Sequence, residues 1–534
     1  MWSQRPVARE ALLCGVGGAA VAALLIWLGP PGTDFAAHAY QRVLFIRHGF
    51  ALWDDFWYAG RYSFIGYSIL YYPLAALLGI RVLAVATVAL AALAFSAIVA
   101  REWGPLGRWS SRSFAVVWAG IVLSAAFPFA LGVALALLAI WALQAGHRWR
   151  FAALTLLTLA ASPVALVLLI VVLAGVALGR RVTLREGSVP ALGVAVAVAA
   201  ELVILRLFPG SGRYPFPASE MAAALVFCGL GLVCTWRLES ARVLRFVFIA
   251  YAVAVVATWL VPSGLGENVA RLRYLAVPLA LLVLGLRRWR PLPLALGVMT
   301  LALAWNITPL ASGWARGEAD ATSHAVVWRA PLAFLHAHLR PGYRVEAVDT
   351  AEHWPAFYLA GDGIPLARGW FRQDDFPLDS VLYRRKLSPA AYLRWLRELG
   401  VQYVVLANAP PDYSSRREAR LVRSGRAGLR RVFATPVVSV YAVPRPQQMV
   451  TGPGRPAVVR LTREALVVHV SRAGTYRIAT RWSRYWNATS GCLTRSANGL
   501  LLLRTHRSGT IRIAFDVDAR SLLGAFAGTA RTCR

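Results

Sequence analysis

From Ala11 to about Thr308 the chain is a succession of apolar runs separated by short connections that carry arginine, and this pattern constrains the fold more than any other feature. A helix that crosses a bilayer needs roughly 20 consecutive, mostly apolar residues. Runs of that kind fall near 11–28, 80–100, 114–127, 129–145, 151–161, 163–178, 188–207, 220–236, 246–261, 274–286 and 291–307. The expected fold is therefore a polytopic α-helical membrane protein with about eleven transmembrane helices. Several runs are short, and the pairs meeting at Phe127-Pro128 and Ser162-Pro163 read either as two short spans or as one broken or re-entrant span. The first run is long for a signal h-region and is followed by Gly29-Pro30-Pro31-Gly32, which is no small-residue cleavage pattern, so a retained helix is expected there.

Composition agrees with a membrane domain joined to water-exposed material. Hydrophobic residues make up 58% of the 534 and charged residues 15%, against roughly 25% charged in a soluble protein. The formal net charge of +32 comes almost wholly from arginine, since Lys386 is the single lysine. A basic balance of this kind suggests nucleic acid only when the charge forms one face. Here it is dispersed over loops: Arg5 and Arg9; Arg101, Arg108 and Arg112; Arg148 and Arg150; Arg180, Arg181 and Arg185; Arg237, Arg242 and Arg245; Arg287, Arg288 and Arg290. No nucleic-acid partner is expected, and the positive-inside rule places these loops in the cytoplasm. The expectation is a multi-pass protein of a bacterial plasma membrane, with its N-terminus cytoplasmic and its C-terminal region extracytoplasmic. Arg42, Arg47, Arg61, Arg271 and Arg273 oppose that trend and need a reason.

After Thr308 the long apolar runs cease. Residues 320–445 mix helical and strand patterns, with helices expected over Val326 to Leu339 and Ala390 to Leu399 and strands at Val345 to Val348 and Tyr403 to Leu406. This predicts an extracytoplasmic α/β domain. Short strands separated by Gly and Asn turns over 455–534 predict a small β-sandwich. The membrane domain is then 1–310, with its first outer loop at 29–66. Cys14, Cys228 and Cys234 lie in apolar runs as packing residues, whereas Cys492 and Cys533 lie in the tail and can pair if it is outside the cytoplasm.

Candidate chemistry concentrates in the first outer loop. Asp34, His38 and Arg42 are spaced by four and share a face if the segment is helical. Asp34 next to the membrane suits a general base or metal ligand, but the residues alone favour a helix cap paired with His38 or Arg42. Asp54 and Asp55 are adjacent carboxylates flanked by Trp53, Phe56, Trp57 and Tyr58, a doublet that suits a divalent cation or a sugar hydroxyl, among rings that suit either sugar faces or the membrane interface. Arg61, Tyr72 and, in a later loop, Glu267, Arg271 and Arg273 complete the set. The arginine fork matches the phosphate of a lipid carrier, or of ordinary headgroups. No Walker A loop, dinucleotide fingerprint, CxxC pair or His-Glu-x-x-His motif is present, so a cytoplasmic nucleotide-activated donor is not indicated and no cofactor beyond a divalent cation is suggested.

Asp34 after the first helix, His38, Trp53, Tyr58-Ala59-Gly60 and Tyr71-Tyr72-Pro73-Leu74 together resemble the opening of GT-C superfamily membrane glycosyltransferases. More closely the chain resembles actinobacterial integral membrane proteins catalogued as "6-pyruvoyl-tetrahydropterin synthase-related", whose tails are similar at Glu352-His353-Trp354, at Leu366 to Gln373, at Leu399 to Leu406 and at Asp412-Tyr413-Ser414. The resemblance implies a polyprenyl-phosphate-linked sugar as donor, an envelope glycan or glycolipid as acceptor, inverting transfer outside the cytoplasm, and Asp34 as the base. The second acidic motif of many GT-C enzymes has no clear match, because the later outer loops offer only Glu220 and Glu267; a metal site is therefore not implied. Two other readings stand beside this one: a non-catalytic GT-C-like scaffold that binds glycan, and a lipid or glycolipid transporter. Against the transporter stands the lack of internal pseudo-symmetry.

Overall fold

In the computed structural model, which describes residues 4–210 and 212–528, the chain divides into two compact units. The first comprises 1–35, 66–202 and 212–317; the second comprises 36–65, 203–211 and 318–534.

The helices up to residue 319 are α1 (Gln4–Leu28), α2 (Phe35–His48), α3 (Tyr71–Leu78), α4 (Ile80–Trp103), α5 (Arg108–Ala119), α6 (Ile121–Ser124), α7 (Phe127–Gln144), α8 (Arg148–Ala161), α9 (Pro163–Arg180), α10 (Leu184–Leu207), α11 (Ala218–Thr235), α12 (Arg242–Leu260), α13 (Ala276–Leu286) and α14 (Leu292–Ala319). Among the described residues, nine stretches are long and apolar enough to cross a membrane. The chain is a multi-pass membrane protein. The count differs from the expected number for two physical reasons. Residues 80–124 form one continuous candidate that turns at Gly104–Gly107, and α8, at 14 residues, is too short to qualify.

The proline-marked junctions become helix boundaries. Ala125 is left-handed (φ 54°) and Ala126 leaves helical geometry, so α6 stops and α7 restarts with Pro128 in its first turn, where a missing N–H costs nothing. At Ser162-Pro163 the serine hydroxyl accepts from the Ala165 N–H and caps α9. The two restarts pack together closely: a Cβ on Gly132 of α7 would lie 2.6 Å from the Ala165 Cβ. Cys14, Cys228 and Cys234 are buried free thiols.

The second unit opens with most of α2 and a two-stranded ribbon, β1 (Trp53–Asp54) with β2 (Arg61–Tyr62). Next comes a mixed four-stranded sheet in the order β3-β4-β6-β5, built from β3 (Arg344–Val348), β4 (Val401–Ala407), β5 (Arg430–Ala434) and β6 (Val438–Ala442). β3 and β4 are parallel and fully buried, as strands covered on both faces must be. β7 (Val450–Thr451), β8 (Ala457–Leu461), β9 (Ala465–Val470), β10 (Gly474–Arg481), β11 (Trp486–Ala488), β12 (Cys492–Arg495), β13 (Leu500–Thr505) and β14 (Gly509–Phe515) make two antiparallel sheets, β12-β13-β10-β7 and β11-β14-β9-β8. Tyr476, Ile478 and Leu503 of one meet Val468, Ile513 and Phe515 of the other in a single core, which Trp53 of the ribbon also enters. Cys492 is disulfide-bonded; Cys533, its expected partner, lies outside the described residues.

Residues 36–65 thus fold with partners more than three hundred residues away. Their backbone is stitched in: Asp55 N–H donates to the Arg463 carbonyl, Leu366 N–H to the Phe56 carbonyl, and Arg481 N–H to the Ala59 carbonyl.

Candidate functional site

In the membrane unit, Asp34 ends the connection after α1 and immediately precedes α2. The N–H groups of Thr33 and Asp34 donate to the Leu123 and Ser124 carbonyls (both 3.1 Å), the last turn of α6. Those carbonyls are orphaned because the helix stops there, so the break in the helix is what anchors Asp34. Its side chain is half-buried. Phe35 packs edge-on against Phe127 (5.9 Å between centroids), the first residue of α7, and Tyr71 stacks on the same ring from the other side of the sequence (6.3 Å), with Tyr72 edge-on to Tyr71.

Two residues further along α7, Phe129 carries the guanidinium of Arg271 at 4.7 Å from its ring centroid. Arg271 belongs to the 3-10 segment Gly266–Leu275, which leads into α13. Tyr251 donates to the Val269 carbonyl (3.0 Å) and Asn306 binds both the Val277 N–H and the Tyr274 carbonyl, so the segment is held on two sides. The start of α7 thus packs against Phe35 and Tyr71, the neighbours of Asp34 and Tyr72, through Phe127, and against Arg271 through Phe129. Arg273 does not join them: it pairs with Glu220 and lies over Trp305. Glu267 accepts from the Tyr214 hydroxyl (3.1 Å). Sequence reasoning noted Pro128 as a break but did not name Phe127 or Phe129 as site residues; the break itself was the signal.

In the second unit, the remaining candidates lie in the interior. His38, one turn into α2, packs edge-on against Trp370 (5.8 Å), which in turn meets His353 (6.1 Å). Arg42, a further turn on, is half-buried. Asp54 accepts from the Tyr40 hydroxyl (2.6 Å), the Phe56 N–H (3.0 Å) and Arg463 (3.0 Å). Asp55 accepts from the Trp53 indole (3.1 Å), and burial pushes its carboxyl up to about 7 although Arg344 and that indole pull it down. Arg61 pairs with Asp374 (2.8 Å) and lies over Phe371 (4.2 Å). Tyr58 is fully buried, and burial raises its hydroxyl well above the usual range, with Asp375 adding to that effect. Among the described residues no group of three or more His, Cys, Asp or Glu is placed to hold a metal ion.

These side chains border a buried charge cluster that sequence patterning gave no reason to expect. Arg368 reaches Glu418 (3.0 Å), Glu346 (3.4 Å) and Asp375 (4.0 Å) with almost no exposure on any partner. Arg372 joins Asp349 (3.5 Å), Asp375 (3.8 Å) and Asp412, and His353 Nδ1 donates to Asp349 (2.8 Å). Burial raises Glu346, Glu418, Asp375 and Asp379. Burial also works to raise Asp349, but His353, Arg372 and Arg368 overcome it and hold that carboxyl below its usual value. The cluster grips the segment 36–65: Arg344 donates to the Asp55 carbonyl (2.5 Å), Arg481 to the Tyr58 carbonyl (3.2 Å), and Asp374 takes Arg61.

No family model matches the chain, and no curated protein matches it. Among solved structures, the cryo-EM structure of arabinofuranosyltransferase AftD from Mycobacteria is similar over 88% of this chain and 41% of its own length, with 18% identity and a TM-score of 0.48. Two classes of a mutant of that enzyme give 16% and 17% identity with TM-scores of 0.46 and 0.47. None of these comparisons carries the "6-pyruvoyl-tetrahydropterin synthase-related" label. The chain spans about two fifths of the length of the proteins it resembles, so their whole activity does not transfer to it.

Proposed function

We propose that this chain is a membrane glycosyltransferase of the cell envelope that moves a sugar, with inversion, from a polyprenyl-phosphate donor to a glycan or glycolipid acceptor outside the cytoplasm. The observations that support this reading are that the end of α6 anchors Asp34 through its N–H and that Arg271 lies over Phe129, near the start of the following helix. Inverting transfer needs a carboxylate that takes the acceptor's proton as its oxygen attacks the anomeric carbon, and positive charge where the lipid phosphate departs. Asp34 supplies the first and Arg271 the second. Asp34 is half-buried, whereas Asp54 and Asp55 are buried and bonded to Tyr40, Arg463 and the Trp53 indole, so burial separates the acids of the first loop and leaves Asp34 the more accessible to an acceptor. The lipid-linked donor rests on the resemblance of the first-loop residues and on the absence of nucleotide motifs in the sequence.

The test compares envelopes from a host lacking the gene, rescued by wild type or by Asp34→Asn. Loss of a glycan with accumulation of lipid-linked sugar, reversed by wild type alone, supports the proposal. Equal rescue by both rejects Asp34 as a base. A second reading, a non-catalytic glycan-binding scaffold, is favoured by the burial of Asp54, Asp55 and Arg61, and equal rescue would point to it or to a transporter.

A further inference from the structure

The two antiparallel sheets of the second unit are strongly biased in charge. From 455 to 515 the sequence has eleven arginines and one acid, Glu464, so this stretch cannot neutralise itself. Arg463 and Arg481 pair with Asp54 and Asp379, and Arg477 and Arg484 donate to the Glu398 and Ala525 carbonyls. The other seven are exposed, and among the described residues none of them forms an ion pair. Strand register gathers them. Val458, Val468 and Ile511 pair in one row of β8, β9 and β14 and point into the core. The next row, Arg460, Val467 and Arg512, therefore points outward, as does the row with His469 and Thr510. A bulge between Val458 and Arg460 is what sets Arg460 opposite Val467, with Val459 left exposed. Arg460 and Arg512 stand two strand spacings apart, about 9–10 Å. The adjoining end of the sandwich extends this face. Arg455 N–H donates to the Ser471 hydroxyl (3.3 Å) there, and Arg472 and Arg507 lie in the turns before β10 and β14. The acids Glu464, Asp516 and Asp518 lie at the other end, about 20 Å away along β14. Leu207 and Phe208, which follow the apolar stretch of α10, also meet the sandwich at that acidic end, through Tyr485 (2.7 Å from its hydroxyl to the Leu207 carbonyl).

We propose that this outer sheet face binds a linear anionic polysaccharide, with Arg460 and Arg512 taking its acidic groups. Unbalanced arginines spread over a flat face call for a partner whose negative charge repeats, and the guanidinium fork matches carboxylate oxygens. A membrane surface fits less well. Val459 is the one large hydrophobic residue exposed from 455 to 515, whereas interfacial faces present aromatic and apolar side chains. The basic end is also the one farther from Leu207 and Phe208. The choice of a glycan over a nucleic acid rests on the proposed envelope function. The test reads binding without transfer, so its failure and that of the Asp34→Asn test are distinguishable. The full-length protein in phosphatidylcholine nanodiscs is titrated with polygalacturonate, with uncharged dextran of similar length, with a DNA duplex matched in charge, and with phosphatidylglycerol vesicles. Polygalacturonate is expected to bind, less tightly as salt is raised, and dextran is not. Arg460→Gln combined with Arg512→Gln should weaken polygalacturonate about tenfold. Arg420→Gln combined with Arg423→Gln, the same loss of charge on the exposed side of the helix Arg416–Arg423, should change it by about twofold or less. Equal weakening by the two double variants overturns the proposal, as does binding of dextran as tight as that of polygalacturonate. Tighter binding of the duplex or of the vesicles overturns it in favour of a nucleic acid or a membrane surface.

Discussion

The Arg368 guanidinium lies against both Glu346 (3.4 Å) and Glu418 (3.0 Å), and the Glu418 charge adds to the burial that raises the Glu346 carboxyl. Two buried carboxyls that share one cation resist ionising together, and burial raises both above the ordinary carboxylate range. Groups raised in the folded state stabilise it fully below their unfolded value, and that stability is lost as pH rises through the folded one. The pair therefore predicts a melting temperature that falls toward alkaline pH. Glu346→Gln removes the ionisable group and should flatten the fall, as followed by thermal denaturation in detergent. Arg368→Met should cost about 3–5 kcal/mol, because it leaves buried carboxyls without their cation.

Asp55 gives the same sign within a defined window. Raising its carboxyl from 3.8 to about 7 corresponds to on the order of 4 kcal/mol of stability, present in full at the acid end of that interval and gone above it. Asp55→Asn keeps an acceptor for the Trp53 indole and cannot ionise. Its melting temperature should change less than that of wild type between pH 5 and pH 8. Identical profiles for the two proteins would show that Asp55 is already ionised throughout.

The membrane helices were legible in the sequence because apolar runs and prolines report directly on lipid and on helix starts: Pro128 and Pro163 each sit in the first turn of a helix. The strands Ala465–Val470 and Gly509–Phe515 were legible because one of their faces is buried and alternates. The hairpin Arg430–Ala434 with Val438–Ala442 was not, since charged and exposed residues obscure its period. Neither was the environment of Asp54, Asp55 and Arg61. Charge pairs such as Arg61–Asp374 join residues about three hundred positions apart, and pattern reasoning assigns charged residues to the surface. The anchoring of Asp34 was hidden for a related reason: it depends on where α6 stops, a position no spacing in the loop records.

Gly60 is where the segment 36–65 tolerates no side chain. Its φ is +111°, and a Cβ would stand 2.6 Å from the Trp53 ring and 2.8 Å from Asp55 Oδ1. Tyr58 and Ala59 before it are already left-handed, a conformation held by the bonds from Ala59 N–H to the Leu366 carbonyl and from Arg481 N–H to the Ala59 carbonyl. Left-handed residues other than glycine cost about 1–3 kcal/mol each, so the turn has little margin. Gly60→Ala should lower the melting temperature and expose residues 50–65 to protease before the membrane helices unfold, a sequence that limited proteolysis with mass spectrometry can follow.

Arg271 separates a role in transfer from a role in stability. Its guanidinium lies over Phe129 and it forms none of the buried carboxylate pairs that hold Arg61, Arg368 or Arg372. Arg271→Gln should therefore leave the melting temperature near that of wild type. If the arginine stabilises the departing phosphate, the same change should lower kcat by about 10²-fold in an assay with purified lipid-linked sugar. Arg271→Lys, which keeps the charge but not the planar fork, should recover part of that loss. Arg463→Gln is the contrasting variant: it removes the cation from Asp54 and Tyr40 and should lower the melting temperature clearly, with any loss of transfer tracking the unfolded fraction. Loss of kcat in the Arg271 variant without loss of stability, beside the reverse in the Arg463 variant, would place the reacting phosphate at the start of α7; equal kcat in wild type and Arg271→Gln would remove Arg271 from the mechanism and leave Asp34 without the cation that the proposed transfer requires.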